Sequence, residues 1–235
     1  MVSFTEWEPV YEAILDSFGY DREGDERARD LLATLLTGQP CSLASLEEHF
    51  QDATVALAAP TPTLREELST LEEADVVVAI SGATATLRSA GVPIDLAVSD
   101  LDKEPETLAE LTDEGTPVAV HAHGDNVEEL REWVPQFDST AVLPTTQAEP
   151  TEVVVNVGGF TDGDRGAFLA DALGADCLTF AGWDLTDRSV GPEKRQKLQW
   201  ASRLLYWLEH RREERFAVLD GQRAALDLPP GAPVQ

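Results

Sequence analysis

Residues 74–80 read ADVVVAI: one acid, then five apolar residues with nothing polar between them. A helix with one wet face would break such a run every third or fourth position, and a half-exposed strand would alternate. A short, continuous Val/Ile/Ala run instead suits a strand covered on both faces, as in parallel sheets. The same kind of run recurs at 54–60 (TVALAAP), 94–100 (IDLAVSD), 117–123 (PVAVHAH), 140–144 (TAVLP), 152–158 (EVVVNVG) and 177–183 (CLTFAGW). Amphipathic stretches lie between them, which suits right-handed crossover helices. The pattern predicts an α/β fold, Rossmann-like, with an open, mostly parallel sheet flanked by helices. FAVLDG (216–221) is a candidate further edge strand.

The flanks follow a different rhythm. Trp7, Val10, Tyr11, Ile14, Leu15 and Phe18 fall on one helical stripe, which predicts a first helix ending near Gly19. A second is expected from about Asp25 to Leu36, and a third over SLASLEEHF (42–50), opened by Ser42. Gly191-Pro192 should begin a last long helix running to about Glu214. The expected division is an N-terminal helical unit (1–51), an α/β core (52–220) and a tail (221–235) that frays through LPPGAPVQ.

Composition narrows the partners. Among 235 residues, 17 are basic and 44 acidic, a formal net charge of −27. Such a surface repels nucleic acid and anionic lipid, which are excluded as main partners. Hydrophobic residues make up 43% and are organised in runs, so the chain folds. Only Lys103, Lys194 and Lys197 are lysines. An acid-rich, lysine-poor folded chain resembles proteins of salt-loving archaea, where molar salt screens self-repulsion. Cys41 and Cys177 have no metal-type spacing and read as small core residues in a reducing compartment. With no run of about 18 apolar residues and no signal peptide, a cytoplasmic location is expected. The oligomeric state stays open, with a homodimer one option.

Open α/β sheets bind ligands beyond the carboxyl ends of their strands, so the residues after each run carry the chemistry. After IDLAV come Ser99, Asp100 and Asp102. These acids are either solvated turn residues or a pair facing one hard cation such as Mg²⁺. After PVAV come His121, His123, Gly124, Asp125 and Asn126; Asp125 with Glu128 can cap the next helix, while the imidazoles can bond a phosphate, a base or a metal-bound water. After EVVVNVG, with Asn156 just before its end, Thr161 and Asp164 fit a capping box. The same helix start can also bind phosphate, with Arg165 as a clamp. Lys194 and Lys197 extend the helical row of Ala201, Leu204 and Leu208, which suggests a polyanion nearby, and Asp184 follows the last run. No Walker glycine loop, nucleophile elbow or zinc-protease motif is present.

In this order, VSDLD (98–102), HAHGDN (121–126), GGFTDGDR (158–165) and the Lys194, Lys197, Leu198 helix start resemble the archaeal 6-hydroxymethyl-7,8-dihydropterin pyrophosphokinase family, whose catalytic core is similar to that of thiamin pyrophosphokinases. The likeness spans roughly residues 53–208. It implies Mg²⁺- and ATP-dependent transfer of a whole diphosphate to the hydroxymethyl group of a reduced pterin, releasing AMP, on a route to folate- or methanopterin-type carriers. Under it, Asp100, Asp102 and Asp125 would hold Mg²⁺, Arg165, Lys194 and Lys197 would neutralise the diphosphate, and Asp162 or Asp164 would assist the metal or orient Arg165. Asn156 would join the nucleotide site, and His121 or His123 would take the alcohol proton or position phosphate. Two segments depart from the family pattern: Thr61-Pro62-Thr63-Leu64 replaces a Gly-Pro-Ser-Leu-like turn, and Ile80-Ser81-Gly82-Ala83 replaces Ala-Asp-Gly-Ala. The alternatives are a dinuclear metal phosphoesterase, a non-catalytic nucleotide-binding module, and thiamin as acceptor.

Overall fold

Six of the seven apolar runs form strands in the computed structural model, which describes residues 1–233. They are β1 (Thr54–Ala58), β2 (Val76–Ile80), β3 (Leu96–Ser99), β4 (Val118–Ala122), β5 (Val142–Thr146) and β6 (Cys177–Ala181). All pairings are parallel, in the order β5-β4-β3-β2-β1-β6. The helices are α1 (Phe4–Phe18), α2 (Arg22–Leu35), α3 (Leu43–Phe50), α4 (Leu68–Leu71), α5 (Ala83–Ala90), α6 (Pro105–Asp113), α7 (Val127–Trp133), α8 (Asp162–Ala172) and α9 (Pro192–Arg212).

Both sheet faces are covered, as the unbroken apolar runs require. Val55 and Leu57 face a core shared with α1, α3, α8 and α9, anchored by Trp7, Phe50, Phe168 and Trp207. Ala56 and Ala58 face the opposite core, with Leu32, Leu71, Leu87, Leu108 and Leu130 from α2 and α4 to α7. Each fully buried aliphatic side chain contributes roughly 1.5–3 kcal/mol. The N-terminal helices therefore have no separate core: α1 lies on one face of the sheet and α2 on the other. Helix α8 rests directly on the strands because Gly166 has no side chain; a Cβ there would meet Ile80 Cδ1 at 2.5 Å.

The two remaining strand expectations are not met. Residues 152–158 touch β5 through a single bridge, Thr145 to Val155. The Asn156 amide replaces the ladder, donating to the carbonyls of Gln147 and Ala148 and accepting the Gly158 N–H. Gly158 and Gly159 then take φ of +91° and +94°, turning the chain into α8. FAVLDG is a single 3₁₀ turn, Ala217–Leu219. Its backbone is satisfied by side chains, Glu209 accepting the Phe216 N–H and Arg223 donating to the Phe216 carbonyl. At the β6 edge, Glu214 accepts the Leu178 N–H, so a side chain takes the place of a ladder partner. Cys41 and Cys177 are free and half-buried rather than in the core. In the expected tail, residues 234 and 235 lie outside the described residues.

Candidate active site

Strand order locates the crevice. The chain leaves β1 toward β2 through β5 and returns on the other side of β1 as β6, so the switch point lies between β1 and β6. A cavity of about 1320 Å³ opens at the carboxyl ends of the strands, lined by residues following all six of them, by the first turn of α8 and by the start of α9.

At the centre of the cavity, β3 ends at Ser99, whose hydroxyl accepts the N–H of Leu101 at 3.0 Å. Leu101 adopts φ of +70°, folding the turn so that the Asp102 N–H reaches Asp100 Oδ1 at 3.3 Å. Asp102 also pairs with Lys103 at 2.7 Å. Burial raises the Asp100 carboxyl, but hydrogen bonds from His123 and Asp102 and the charges of His123 and Arg165 hold it well below the usual carboxylate range. Asp102 moves the other way, raised by partial burial and by Asp100.

From β4, the two histidines part company. His123 lines the cavity with Nε2 3.5 Å from Asp100 Oδ2. His121 is fully buried and outside the lining. Thr145 Oγ1 donates to the Val120 carbonyl and so accepts from His121 Nδ1 at 3.1 Å, which leaves Nε2 as the unprotonated nitrogen. Burial, then the charges of Arg165 and His123, hold His121 neutral. Asp125 lies exposed on the cavity rim and does not cap α7. The cap position belongs to Asn126, whose side chain turns inward instead: its amide donates to the carbonyls of Asp100 and His121 at 2.7 Å each and accepts the His123 N–H at 3.0 Å.

The start of α8 also divides its labour. Asp164 is fully buried and accepts the N–H groups of Phe160 and Thr161, as the capping box predicts; it does not line the cavity. Burial pushes its carboxyl up to about 6 against those bonds. Asp162 does line the cavity and pairs with Arg165 at 2.8 Å. Burial and then the charge of Asp100 push the Asp162 carboxyl up to about 8, with Asp102 adding and Arg165 and Lys194 opposing. Arg165 is nearly buried, its other terminal nitrogen donating to the Phe160 carbonyl at 2.7 Å. Arg165 still lines the cavity, with its two terminal nitrogens engaged by Asp162 and the Phe160 carbonyl. Asn156 lies outside the lining, committed to the backbone bonds described above.

Helix α9 presents Lys194, Lys197 and Ala201 of the expected row to the cavity, together with Leu198. Lys197 lies 5.8 Å from the Tyr20 ring centroid and 3.4 Å from Glu193, while Lys194 is exposed and has no ion pair among the described residues. Asp184 lines the far end but uses one oxygen on the N–H and hydroxyl of Thr186.

Residues 31–189 match the family described as 6-hydroxymethylpterin diphosphokinase MptE-like. The chain belongs to that family. It is 38% identical over 221 residues to the 6-hydroxymethyl-7,8-dihydropterin pyrophosphokinase of Methanothermobacter thermautotrophicus, covering 86% of this chain and 94% of that protein. The protein of the same name from Pyrococcus furiosus is 36% identical over 224 residues, 89% and 95% of the two chains. The one from Methanocaldococcus jannaschii is 30% identical over 236 residues, 90% and 98% of the two.

The cavity is also lined by residues that no spacing in the sequence singles out. At the switch point, Glu67 accepts the Gly182 N–H at 2.8 Å, and the Trp183 indole donates to the Leu57 carbonyl at 2.8 Å. Gly163 leaves room for that indole, since a Cβ there would meet it at 2.6 Å. Gln147 and Asp25 enter from the β5 end. None of these carried a motif; the topology alone brings them in.

Proposed function

We propose that this protein transfers the terminal diphosphate of ATP to the hydroxymethyl group of 6-hydroxymethyl-7,8-dihydropterin, releasing AMP. The observation that carries this reading is the convergence of Asp100, Asp102, His123, Asp162 and Lys194 on one cavity, in a chain whose relatives bear that name. At about 1320 Å³ the cavity exceeds the roughly 300–1,000 Å³ of single-ligand sites, which supports two substrates side by side.

The donor set fits Mg²⁺. Hard carboxylate oxygens converge, and the Asp162 carboxyl, raised first by burial and then by the Asp100 charge, would be relieved by a cation nearby. Among the described residues no three His, Cys, Asp or Glu side chains form a ligand group, so a bound Mg²⁺ would need substrate phosphates for its remaining ligands. When bound, Mg²⁺ would supply charge neutralisation on the phosphates. Asp100 and Asp102 would hold it; Asp125, also expected as a ligand, is exposed on the rim and forms no three-carboxylate group with them. Lys194 and Lys197 would align and neutralise the transferred group from α9, and Arg165 would act through space from behind Asp162. His123 would accept the alcohol proton or position phosphate; His121, walled off, would act only by supporting it from the strand. Asp164 and Asn156 would contribute by shaping the α8 approach.

The relatives lend no support to a phosphoesterase, to a non-catalytic nucleotide module or to thiamin as acceptor. Among the described residues no helix is long and apolar enough to cross a membrane. The charge of −27 with three lysines supports a cytoplasm of high salt. Incubation with ATP, Mg²⁺ and the pterin alcohol in molar salt tests the reading. Stoichiometric AMP and pterin diphosphate are expected; inorganic phosphate alone, or equal turnover of thiamin, would refute it.

A further inference from the structure

Asp25 was legible in the sequence only as a residue near the start of α2, yet it is one of the few buried carboxylates in the molecule, 4% exposed. Both its oxygens are engaged, by three donors. Oδ2 accepts the Tyr11 hydroxyl from α1 and the Gln147 amide from the end of β5, each at 2.7 Å. Oδ1 accepts the backbone N–H of Gly124 at 2.8 Å. Gly24 and Gly124 make this approach possible: a Cβ on either would stand 3.3–3.4 Å from the other's backbone.

Gly124 adjoins His123, the histidine that faces Asp100. The loop between β4 and α7 is therefore held from two sides. Asn126 ties it inward to the Asp100 carbonyl, and Asp25 ties it outward to the N-terminal helices. We propose that Asp25 is a positioning residue for the transfer reaction: through the Gly124 N–H, α2 sets where His123 stands relative to Asp100. The N-terminal helices then contribute to rate by fixing an active-site loop, although Asp25 itself contacts no reacting atom. A displacement of about 1 Å in such a group can cost on the order of 10²-fold in rate, so one backbone hydrogen bond is sufficient leverage.

This inference rests on the proposed reaction, and the test separates the two. Asp25→Ala is expected to lower kcat by about 10- to 100-fold, with KM for ATP and for the pterin within about twofold, and to speed hydrogen exchange across residues 121–126. Asp25→Asn keeps an acceptor for Gly124 and should restore most of the rate. Tyr11→Phe removes a bond to the same carboxylate without freeing the loop; it should lower the melting temperature and leave kcat unchanged. Should Asp25→Ala not fold, Gly24→Val decides: its γ-carbons displace the loop while the Tyr11 and Gln147 bonds remain, so kcat should fall with the melting temperature held. A rise in KM alone would make Asp25 a substrate contact, and an equal loss in Tyr11→Phe would make it ordinary core support; either overturns the proposal, as does unchanged activity in Asp25→Ala or Gly24→Val. If the wild-type protein makes no pterin diphosphate, the functional reading fails, while the exchange comparison still shows whether Asp25 orders the loop.

Discussion

The two ends of the cavity are built on different principles. Where β3, β4 and α8 meet, it is a nest of ionisable groups: Asp100, Asp102, Lys103, His123, Asp162 and Arg165, in which burial and neighbouring groups shift the proton affinities of the three aspartates. At the β1–β6 switch point it is lined by Pro60, Thr61, Thr63, Glu67 and Trp183, with polar groups used on the backbone of neighbouring strands. On the proposed reaction, the first end would take the phosphates and a cation, and the second would take the ring of a substrate. Rate should therefore depend on the charged end, and selectivity on the other.

The sharpest way to break this division is at Asp100. Asp100→Asn keeps the shape and the Asp102 N–H contact but removes the charge at the centre of the nest. We expect kcat to fall by roughly 10²- to 10³-fold, the scale of one lost electrostatic contact in a transition state, with a lower melting temperature at neutral pH, since the depressed Asp100 carboxyl favours the folded state there. Steady-state kinetics with AMP detection measures it, and a rate within about threefold of wild type would remove Asp100 from the machinery. Next in size is His123→Ala, expected to cost about 10²-fold in kcat if the imidazole takes the alcohol proton. A loss confined to KM for ATP would make His123 a phosphate-positioning group instead.

The fold was legible because burial on both sheet faces leaves unbroken apolar runs, and six of them are strands. The seventh failed for a local reason: Asn156 offers the backbone a partner, and paired glycines then turn the chain away. The same contrast holds within the site. Asp100, Asp102, His123 and Asp162 were readable because charged residues follow strand ends at short spacing. Spacing could not separate His121 from His123, or Asp164 from Asp162, since each pair sits two residues apart and only packing shows which member faces the cavity. Asp25, Glu67 and Trp183 were invisible as site residues, since nothing in one dimension brings α2, the β1 loop and the β6 loop together.

Glu67 offers a smaller effect that sharpens the contrast from the other end. Glu67→Gln retains an oxygen for the Gly182 N–H, so the β1–β6 loops should hold their shape and only the charge is lost. KM for one of the two substrates should rise by about tenfold, the scale of a hydrogen bond to a charged group, while kcat stays within about threefold. Equal loss in kcat would place Glu67 with the charged end and dissolve the division.

The smallest expected effect is less than one proton per chain, and it reports on the charged end directly. The Asp162 carboxyl, pushed up to about 8 by burial and by Asp100, is largely protonated at pH 7 in the free protein. Because its folded value lies above its unfolded one, the stability it contributes is fully present in acid and is lost as pH rises through about 8. Asp164, raised only to about 6, has mostly finished titrating by pH 7 and does not blur that window. A cation brought in on the triphosphate favours the ionised form, so binding of Mg²⁺ and ATP at pH 7 should expel the proton and lower the Asp162 value. Calorimetric titration in buffers of different ionisation enthalpy should show a fraction of a proton released near pH 7 and none near pH 10. The melting temperature of the free protein should fall by a few degrees between pH 7 and 9, and less when Mg²⁺ and ATP are present. No release near pH 7 would mean that the cation does not reach Asp162, and that the charge nest meets the phosphates through Lys194 and Lys197 alone.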